Sequence, residues 1–247
     1  MLIGAGGKMG REVLRLIEER SEESECVAKV DRFSSDDGFF SSPFDFCGHA
    51  DVLVDFSHPS ATEELLNFVK ERKTPLVIAT TGQNEREREM IRTASSSVPI
   101  FHCANMSLGI AVFIKLARKI SRMFPDADIE IVEAHHRDKA DAPSGTALMI
   151  ADAVREERML VTMEKGELTF GRRGQSQRKR GEIGIHSIRG GGTVGMHSLI
   201  ATSQNQTITL CHEAHSRALY AEGALAAAHF LLGKTAGLYN MYDMLSE

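Results

Sequence analysis

The sequence predicts an α/β fold with a parallel sheet in its first part, followed by an α+β region with an open mixed or antiparallel sheet. Through residue 106, short apolar runs alternate with amphipathic helical patterns at the spacing of β-α-β units. Beyond that point the strand-like runs are longer and glycine-rich turns separate them, which favours a differently organised sheet.

The elements of the first part follow one another in a regular order. The opening MLIGAGGKMGREVLRLIEE passes from a very short apolar run through a glycine turn into a helix, with Val13, Leu14 and Ile17 at helical spacing. Ser60 or Thr62 is the expected N-cap of the helix after the third strand. The further predicted strands are CVAKVD, ADVLVDFS, TPLVIATTG and VPIFHCAN, and the helices between the last three are PSATEELLNFVKER and NEREREMIRTASS.

The second part opens with a long amphipathic helix, SLGIAVFIKLARKISRMF. Three strand-like stretches come later, and a helix and a basic loop separate them: DIEIVEAHH, IGIHSIRGGGTVGMHSLIATS and QTITLCHEA. The helix between the first two is SGTALMIADAVREERM. The closing SRALYAEGALAAAHFLLGK is an alanine-rich helix whose small residues favour close packing.

Composition excludes several classes of protein. A content of 42% apolar and 26% charged residues is ordinary for a globular protein, and a net charge of −5 does not indicate a nucleic-acid partner. No apolar run reaches the roughly 18 residues of a membrane span, and the start lacks a signal-peptide pattern. The four scattered cysteines lack the spacing of a disulfide framework or zinc site, so a reducing, cytoplasmic location is expected.

One basic run, RRGQSQRKR at residues 172–180, departs from the acidic balance of the chain. Two interpretations stay open for it, a solvated loop and a loop that handles an anion.

The glycine turn at the start indicates a dinucleotide site. Gly4, Gly7 and Gly10 lie between a strand and a helix, where glycine permits close approach of a pyrophosphate to the helix N-terminus. Asp31 closes the second strand about 20 residues further on, where a ribose-binding carboxylate is expected, and Arg32 is placed to pair with a 2′-phosphate. The alternative is a glycine turn that serves helix packing beside an ordinary Asp-Arg pair.

Two further segments follow the last strands of the parallel sheet. ATTG at residues 79–82 and CANMS at 103–107 fall outside the carboxyl ends of their strands, where open parallel sheets bind ligands. Their backbone groups are candidates for lining a nicotinamide and its ribose, and plain strand-to-helix turns are the alternative.

The stretch EAHHRDKADAPSGTAL, residues 133–148, carries the densest chemistry. His135 and Lys139 combine a group that titrates near neutral pH with a cation, which suits proton donation. After Pro143, the segment from Ser144 to Thr146 starts a helix whose amides and hydroxyls favour binding of a carboxylate. Together they predict reduction of a small carboxylated imine or conjugated ring; a solvated polar loop that caps a helix is the alternative.

These pieces resemble the 4-hydroxy-tetrahydrodipicolinate reductase (dihydrodipicolinate reductase) family of the diaminopimelate route to lysine. The resemblance rests on GAGGKMGR, VDFSHP, ATTG, ANMSLG, EAHHRDKADAPSGTA, IGIHSIRGGGTVGMH, HEAHSR and GLYNMYDML. It implies a homotetramer with a Rossmann-like domain that binds NADH or NADPH, residues 1–106 and 214–247. Residues 107–213 then form an α+β domain for substrate binding and oligomerisation.

The resemblance also implies roles for individual residues. His135 matches the proton donor and Lys139 its partner acid, while His136, Ser144, Gly145 and Thr146 match contacts to a dicarboxylate substrate. The positions that match cofactor contacts are Gly4, Ala5, Gly6, Gly7, Lys8, Met9, Asp31, Arg32, Ala79, Thr80, Thr81, Cys103, Ala104, Asn105 and Met106.

The remaining histidines do not predict a metal site. His186, His197, His212 and His215 lie on separate segments without ligand spacing, so positions on sheet faces or in packing are expected. Two rival functions are an aspartate- or homoserine-type dehydrogenase, which does not need the HHRDK and PSGT cluster, and a catalytically silent protein that senses NAD(P)H.

Overall fold

The computed structural model describes residues 1–34 and 37–246, and the chain forms two compact units. The first unit comprises Met1–Leu108 and Arg217–Glu247, and the second comprises Gly109–Ser216. Among the described residues, no helix is both long enough and apolar enough to cross a bilayer.

The helices and strands follow the chain in two groups. Up to residue 102 they are β1 (Leu2–Ile3), α1 (Lys8–Glu19), β2 (Lys29–Val30), β3 (Phe39–Phe40), β4 (Leu53–Asp55), α2 (Thr62–Arg72), β5 (Leu76–Ile78), α3 (Glu85–Ser95) and β6 (Pro99–His102). Thereafter they are α4 (Leu108–Met123), β7 (Asp128–His135), α5 (Gly145–Thr162), β8 (Leu168–Phe170), β9 (Ile183–Arg189), β10 (Gly195–Thr202), β11 (Thr207–Ala214), α6 (Ala218–Leu231), β12 (Gly237–Tyr239) and α7 (Met241–Met244).

The sheet of the first unit is parallel throughout its described strands, in the order β12-β6-β5-β4-β1-β2-β3. The strand order reverses between β1 and β4, and the reversal opens a crevice at the carboxyl ends of the strands. The predicted Rossmann-like parallel sheet is therefore confirmed. The short strands β3 and β12 were not predicted, because two or three residues without a periodic pattern become strands only by pairing with β2 and β6.

The core of this unit lies between the sheet and its helices. Leu53, Leu76 and Ile100 are fully buried, and burial of each such side chain stabilises the fold by roughly 1.5–3 kcal/mol. The predicted cap of α2 is wrong: His58 accepts a hydrogen bond from the Ser60 amide and caps a short 3₁₀ turn, from which α2 continues without a side-chain cap. For α3, Asn84 and Glu87 form a reciprocal capping box.

The sheet of the second unit is mixed, in the order β11-β10-β7-β9-β8. β10 is antiparallel to both β7 and β11, whereas β7, β9 and β8 run parallel. The open mixed sheet is thus confirmed and the purely antiparallel alternative is wrong. One face packs against α4 and α5, with Ile129, Ile131 and Ile150 fully buried in that core.

The register of the central strands orders the covered face into rows. Two rows are apolar: Ile183–Ile129–Ala201–Ile208 and Ile185–Ile131–Leu199–Leu210. The next row is polar, Ser187–Glu133–His197–His212, and beyond it His135 pairs with Arg189. Because alternate residues share a face, the same period that buries the isoleucines directs Glu133 and His135 to the end of the core.

The basic run 172–180 is ion-paired over the second unit. Arg178 pairs with Asp128 and Glu130, Arg172 with Glu182, and Lys179 and Arg180 with Glu167 and Asp126 respectively. Since carboxylates of the same unit neutralise these cations, the arrangement favours the solvated-loop interpretation over an anion-handling loop.

Candidate active site

The glycine turn of the first unit excludes side chains at two positions. Gly4 has a φ of +74°, and a Cβ there would lie 2.5 Å from the Phe56 carbonyl oxygen. A Cβ on Gly10 would lie 2.2 Å from the Gly4 carbonyl oxygen, so α1 packs closely on the end of β1. In the described part of the chain no side chain caps α1, so its first amides are candidates for binding an anion.

Asp31 ties the glycine turn to the end of β2. Its Oδ2 accepts a hydrogen bond of 3.0 Å from the Gly6 amide, and its Oδ1 accepts one of 3.0 Å from the Phe33 amide. A carboxylate has about four lone-pair sites, so acceptor capacity remains for ribose hydroxyls. Arg32 follows and its guanidinium donates to Glu64 Oε2 at 3.1 Å.

Two cavities lie along the carboxyl ends of the strands of the first unit. One of about 240 Å³ extends from Asp31 and Arg32 past Phe56 to Glu64. The other, of about 620 Å³, is lined by Met9, Thr80, Thr81 and Asn84 among others, and both share residues 56–58 and Ser60. Two adjoining cavities with a glycine-rich turn at one edge fit a dinucleotide.

The segments after β5 and β6 are held by the backbone of their neighbours. The amides of Ala79 and Thr80 both donate to the Asp55 carbonyl, at 3.0 and 3.1 Å, and this fixes the ATTG turn. Cys103 begins the second segment, within which its thiol donates to the Asn105 carbonyl at 3.2 Å. Met106 is buried, and its carbonyl would collide with any side chain at position 223. Ala104 precedes Asn105 in this turn.

Asp55 is an organising residue that the sequence analysis missed. Its side chain is buried at the end of β4 and accepts from the Ser57 amide and hydroxyl, at 2.9 and 2.5 Å. Burial raises the pKa of the Asp55 carboxyl, and the Ser57 hydrogen bonds partly oppose that rise. The VDFS sequence carried the only signal, a carboxylate directly after a buried strand.

In the second unit, His135 ends β7 and its Nδ1 lies 2.6 Å from Oε2 of Glu133. The Glu133 side chain has no exposed surface and also receives two hydrogen bonds from Arg189, of 2.9 and 2.7 Å. Burial alone raises the pKa of this carboxyl, but hydrogen bonds from Arg189, Ser187 and His135 outweigh it and lower the pKa to about 2. An ionised carboxylate only accepts, so Nδ1 carries a proton and Nε2 is the atom left for proton exchange.

Glu133 and Arg189 were not predicted as site residues. Arg189 also donates to the Asp141 carbonyl at 2.7 Å, so one guanidinium joins the histidine's carboxylate partner to the loop that carries Lys139. This link depends on the register in which β9 pairs with β7, and no local sequence pattern predicts that register.

Ser144 joins the start of α5 to this cluster. Its hydroxyl accepts from the Ala147 amide at 3.2 Å as the N-cap, its amide donates to Glu133 at 3.2 Å, and its Oγ lies 2.9 Å from Nε2 of His197. The His197 ring is edge-on to that of His135, with centroids 5.2 Å apart. Burial, followed by the nearby His135, lowers the pKa of His197 to about 4, so this imidazole is neutral at physiological pH.

The other predicted substrate-side residues lie around the same turn. The Lys139 ammonium donates to Asp141 Oδ1 at 2.8 Å, and its amide donates to the His136 carbonyl at 3.2 Å. Gly145 and Thr146 form the first turn of α5, and Gly145 is exposed with open space where a side chain would project. Among the described residues, no group of three or more His, Cys, Asp or Glu side chains is arranged to hold a metal ion.

Hydride transfer accompanied by proton transfer is the chemistry that these two units support. The first unit has the turn and cleft of a dinucleotide site, and the second has an oriented histidine next to an amide-rich helix start. The class that fold and site define is therefore a nicotinamide-dependent oxidoreductase.

Comparison with known proteins gives the family. The model described as "Dihydrodipicolinate reductase, N-terminus" matches residues 1–106, and "Dihydrodipicolinate reductase, C-terminus" matches residues 109–245. The chain belongs to the dihydrodipicolinate reductase family, as its resemblance predicted.

Two curated relatives named 4-hydroxy-tetrahydrodipicolinate reductase align with essentially the whole chain. The protein from Caldanaerobacter subterraneus subsp. tengcongensis is 46% identical over 247 residues, which cover 99% of this chain and 96% of the relative. The one from Clostridium tetani is 42% identical over 251 residues, with 100% and 96% covered. The predicted class of enzyme, an oxidoreductase that uses NADH or NADPH, is confirmed by this family membership.

Solved structures agree in fold. A dipicolinate-bound dihydrodipicolinate reductase from Paenisporosarcina sp. TG-14 superimposes with a TM-score of 0.75 at 22% identity, over 97% of this chain and 96% of that one. An aspartate dehydrogenase from Thermotoga maritima gives 0.50 at 15% identity, over 95% and 96%. At these identities the likeness concerns the fold alone.

Proposed function

We propose that the protein reduces 4-hydroxy-tetrahydrodipicolinate to tetrahydrodipicolinate with loss of water, at the expense of NADH or NADPH, in lysine and diaminopimelate biosynthesis. The observation that carries this function is the end-to-end identity of 46% and 42% with reductases of that name. A related structure that binds dipicolinate supports a small cyclic dicarboxylate as the ligand.

In this proposal the first unit holds the cofactor. The amides at the start of α1 bind the pyrophosphate, Asp31 binds a ribose, and residues 79–81 and 103–106 line the nicotinamide end. When bound, the reduced dinucleotide supplies a hydride. The division into a dinucleotide domain, residues 1–106 with 214–247, and a substrate domain, 107–213, is part of the same proposal.

The second unit supplies the proton. His135 donates it from Nε2, because Glu133 occupies Nδ1 and holds the ring in one orientation. Lys139 adds positive charge next to the substrate, and the Gly145 and Thr146 amides at the start of α5 bind one of its carboxylates. Ser144 keeps that helix start against Glu133, while His136 contacts the substrate from the turn.

We further propose assembly as a homotetramer through the second sheet. The face of that sheet opposite α4 and α5 carries the row Ile188–Ala134–Met196, and Ile188 is 52% exposed. Four free cysteines agree with the cytoplasm as the location of the enzyme. Sedimentation of the purified protein tests the oligomeric state.

The rival functions make different predictions. An aspartate-type dehydrogenase would share the fold, as the Thermotoga protein does, but has no need for a histidine on a buried carboxylate beside an amide-rich turn. A silent sensor of NAD(P)H would bind the dinucleotide without consuming it. Activity assays with a panel of substrates that includes aspartate and homoserine distinguish the reductase from a dehydrogenase. Measured turnover of the dinucleotide distinguishes it from a silent sensor.

The decisive experiment follows oxidation of the reduced dinucleotide by absorbance, with freshly generated substrate. We expect the double variant His135→Gln, Lys139→Ala to lose about 10²–10⁴-fold in kcat while it still binds the dinucleotide. His49→Gln, at a side chain 84% exposed, is the matched control and should keep full activity. Unchanged activity in the double variant would end the assignment of these roles.

A further inference from the structure

The cleft of the first unit contains an ion pair at the position where NADH and NADPH differ. Arg32 directly follows the ribose-binding candidate Asp31, and its guanidinium is held by Glu64 at 3.1 Å. All three residues line the same cavity of about 240 Å³. Of the described residues that line it, Arg32 is the one guanidinium or ammonium group, whereas Asp31 and Glu64 are both carboxylates.

Glu64 is fixed in place from several sides. Its Oε1 accepts a hydrogen bond of 2.6 Å from the Ser42 hydroxyl while Oε2 receives Arg32. Glu64 is also in the first turn of α2, where the helix dipole stabilises a negative charge. Its side chain is 29% exposed, against 61% for Arg32, so the carboxylate is the more firmly placed member of the pair.

A 2′-phosphate carries a charge near −2 and needs a cation that is not already neutralised. In this cavity the guanidinium of Arg32 is already paired with the fixed carboxylate of Glu64. A guanidinium can donate to both groups at once, but the phosphate would then lie close to Glu64, and like charges repel. A 2′-hydroxyl meets no such penalty, and the remaining acceptor sites on Asp31 suit it.

We propose that Glu64, fixed by Ser42 and paired with Arg32, makes this enzyme select NADH over NADPH. The inference rests on the proposed placement of the dinucleotide in this cleft. It assigns cofactor preference to a residue of α2, outside the glycine turn and the end of β2 where the sequence analysis placed the adenosine contacts.

The test measures binding and turnover separately. Calorimetric titration with NADH and NADPH, and with 5′-AMP and adenosine 2′,5′-bisphosphate as probes of the adenosine end, needs no substrate. We expect the wild-type protein to bind NADH more tightly than NADPH. Glu64→Gln should improve the NADPH affinity and kcat/KM by about three- to tenfold while it changes those for NADH less than twofold.

Two variants provide matched comparisons. Glu63→Gln removes the neighbouring charge on the same helix, which pairs loosely with Arg86 at 3.8 Å, and should leave the preference unchanged. In an Arg32→Ala background, Glu64→Gln should give a smaller gain for NADPH, because the cation that it releases is gone. Added salt should narrow the difference between the two cofactors in the wild type.

Three results would overturn the inference: a wild-type preference for NADPH, a Glu64→Gln shift no larger than that of Glu63→Gln, or an undiminished gain in the Arg32→Ala background. Failure of the proposed function would be recognised differently. In that case neither dinucleotide would bind, or both would bind without oxidation in the presence of substrate.

Discussion

The buried carboxylate of Glu133 lies 2.6 Å from Nδ1 of His135, two positions along the same strand. Alternate residues of a strand point to one face, so the two side chains are neighbours in the rows that end the apolar core. Arg189 neutralises the carboxylate from the adjacent strand. A histidine that is held by paired strands in this way keeps its orientation without help from the exposed loop that follows it.

The first prediction concerns this carboxylate. Glu133→Gln should lower kcat by about 10²-fold, because a neutral amide orients the imidazole less firmly and stabilises its cation less. Glu130→Gln, on the opposite face of the same strand, is the control and should leave kcat close to the wild-type value. A kcat of Glu133→Gln within about twofold of wild type would contradict the role.

The second prediction concerns the space in front of the histidine. A Cβ on Gly195 would lie 3.1 Å from Nε2 of His135, closer than side chains normally approach. Gly195→Ala should therefore displace the imidazole and lower kcat, with little change in the unfolding midpoint. Gly192→Ala adds the same methyl group where nothing lies within 4 Å, and should be nearly silent. Equal effects of the two variants would argue against the assigned position of Nε2.

The third prediction is a pH dependence of stability that originates at His197. Burial lowers its pKa to about 4, the nearby His135, His212 and Lys139 act in the same direction, and the Glu133 carboxylate partly opposes them, so the folded protein binds a proton there less readily than the unfolded chain. The stability is present above pH 6.5, where an unfolded histidine is neutral, and is lost as the pH falls toward 4. The loss should be on the order of 3 kcal/mol.

Denaturant unfolding at pH 7 and pH 4.5 measures this loss. His197→Asn should flatten the dependence between these values, whereas His49→Gln, at an exposed histidine, should keep the wild-type slope. A slope in His197→Asn equal to that of wild type would show that another group controls stability in this range.

The fourth prediction concerns the packing of α1. A Cβ on Gly10 would lie 2.2 Å from the Gly4 carbonyl oxygen and 2.7 Å from Cα of Ala5, and backbone atoms cannot move aside as a side chain can. Gly10→Ala should destabilise the protein by about 1–3 kcal/mol and weaken dinucleotide binding together. Unfolding midpoints and calorimetric binding of NADH measure the two effects, and wild-type values in both would contradict this account of the turn.

Local patterns predicted several structural features of the two candidate sites. The glycine spacing predicted the turn after β1, and Asp31 lies where the spacing placed it, against the Gly6 amide. The SGT segment begins α5 as expected, with Ser144 as the N-cap. In each case the residues concerned are close together in the chain, so a short stretch of sequence is enough to predict the local structure.

The partners of these residues were not predictable in the same way. Glu133, Arg189 and His197 meet through the pairing of β7 with β9 and β10, and Arg32, just after β2, meets Glu64 in the first turn of α2. His197 was expected to lie on a sheet face or in packing, and it lies edge-on to His135 and within hydrogen-bonding distance of Ser144. Strand register and helix placement depend on the packing of the whole core, so they cannot be predicted from any single segment of the sequence.

The amino-acid sequence alone therefore predicted the kind of fold, the glycine turn that we propose binds a phosphate and the loop that we propose supplies a proton. Each of these predictions depends on local backbone preferences and on the period of the apolar residues. Folding in three dimensions added the buried carboxylate behind His135, the neutral imidazole at position 197 and the counter-ion on Arg32. Those features arise from burial and from contacts between distant segments, which change charge and orientation only after the strands and helices have packed.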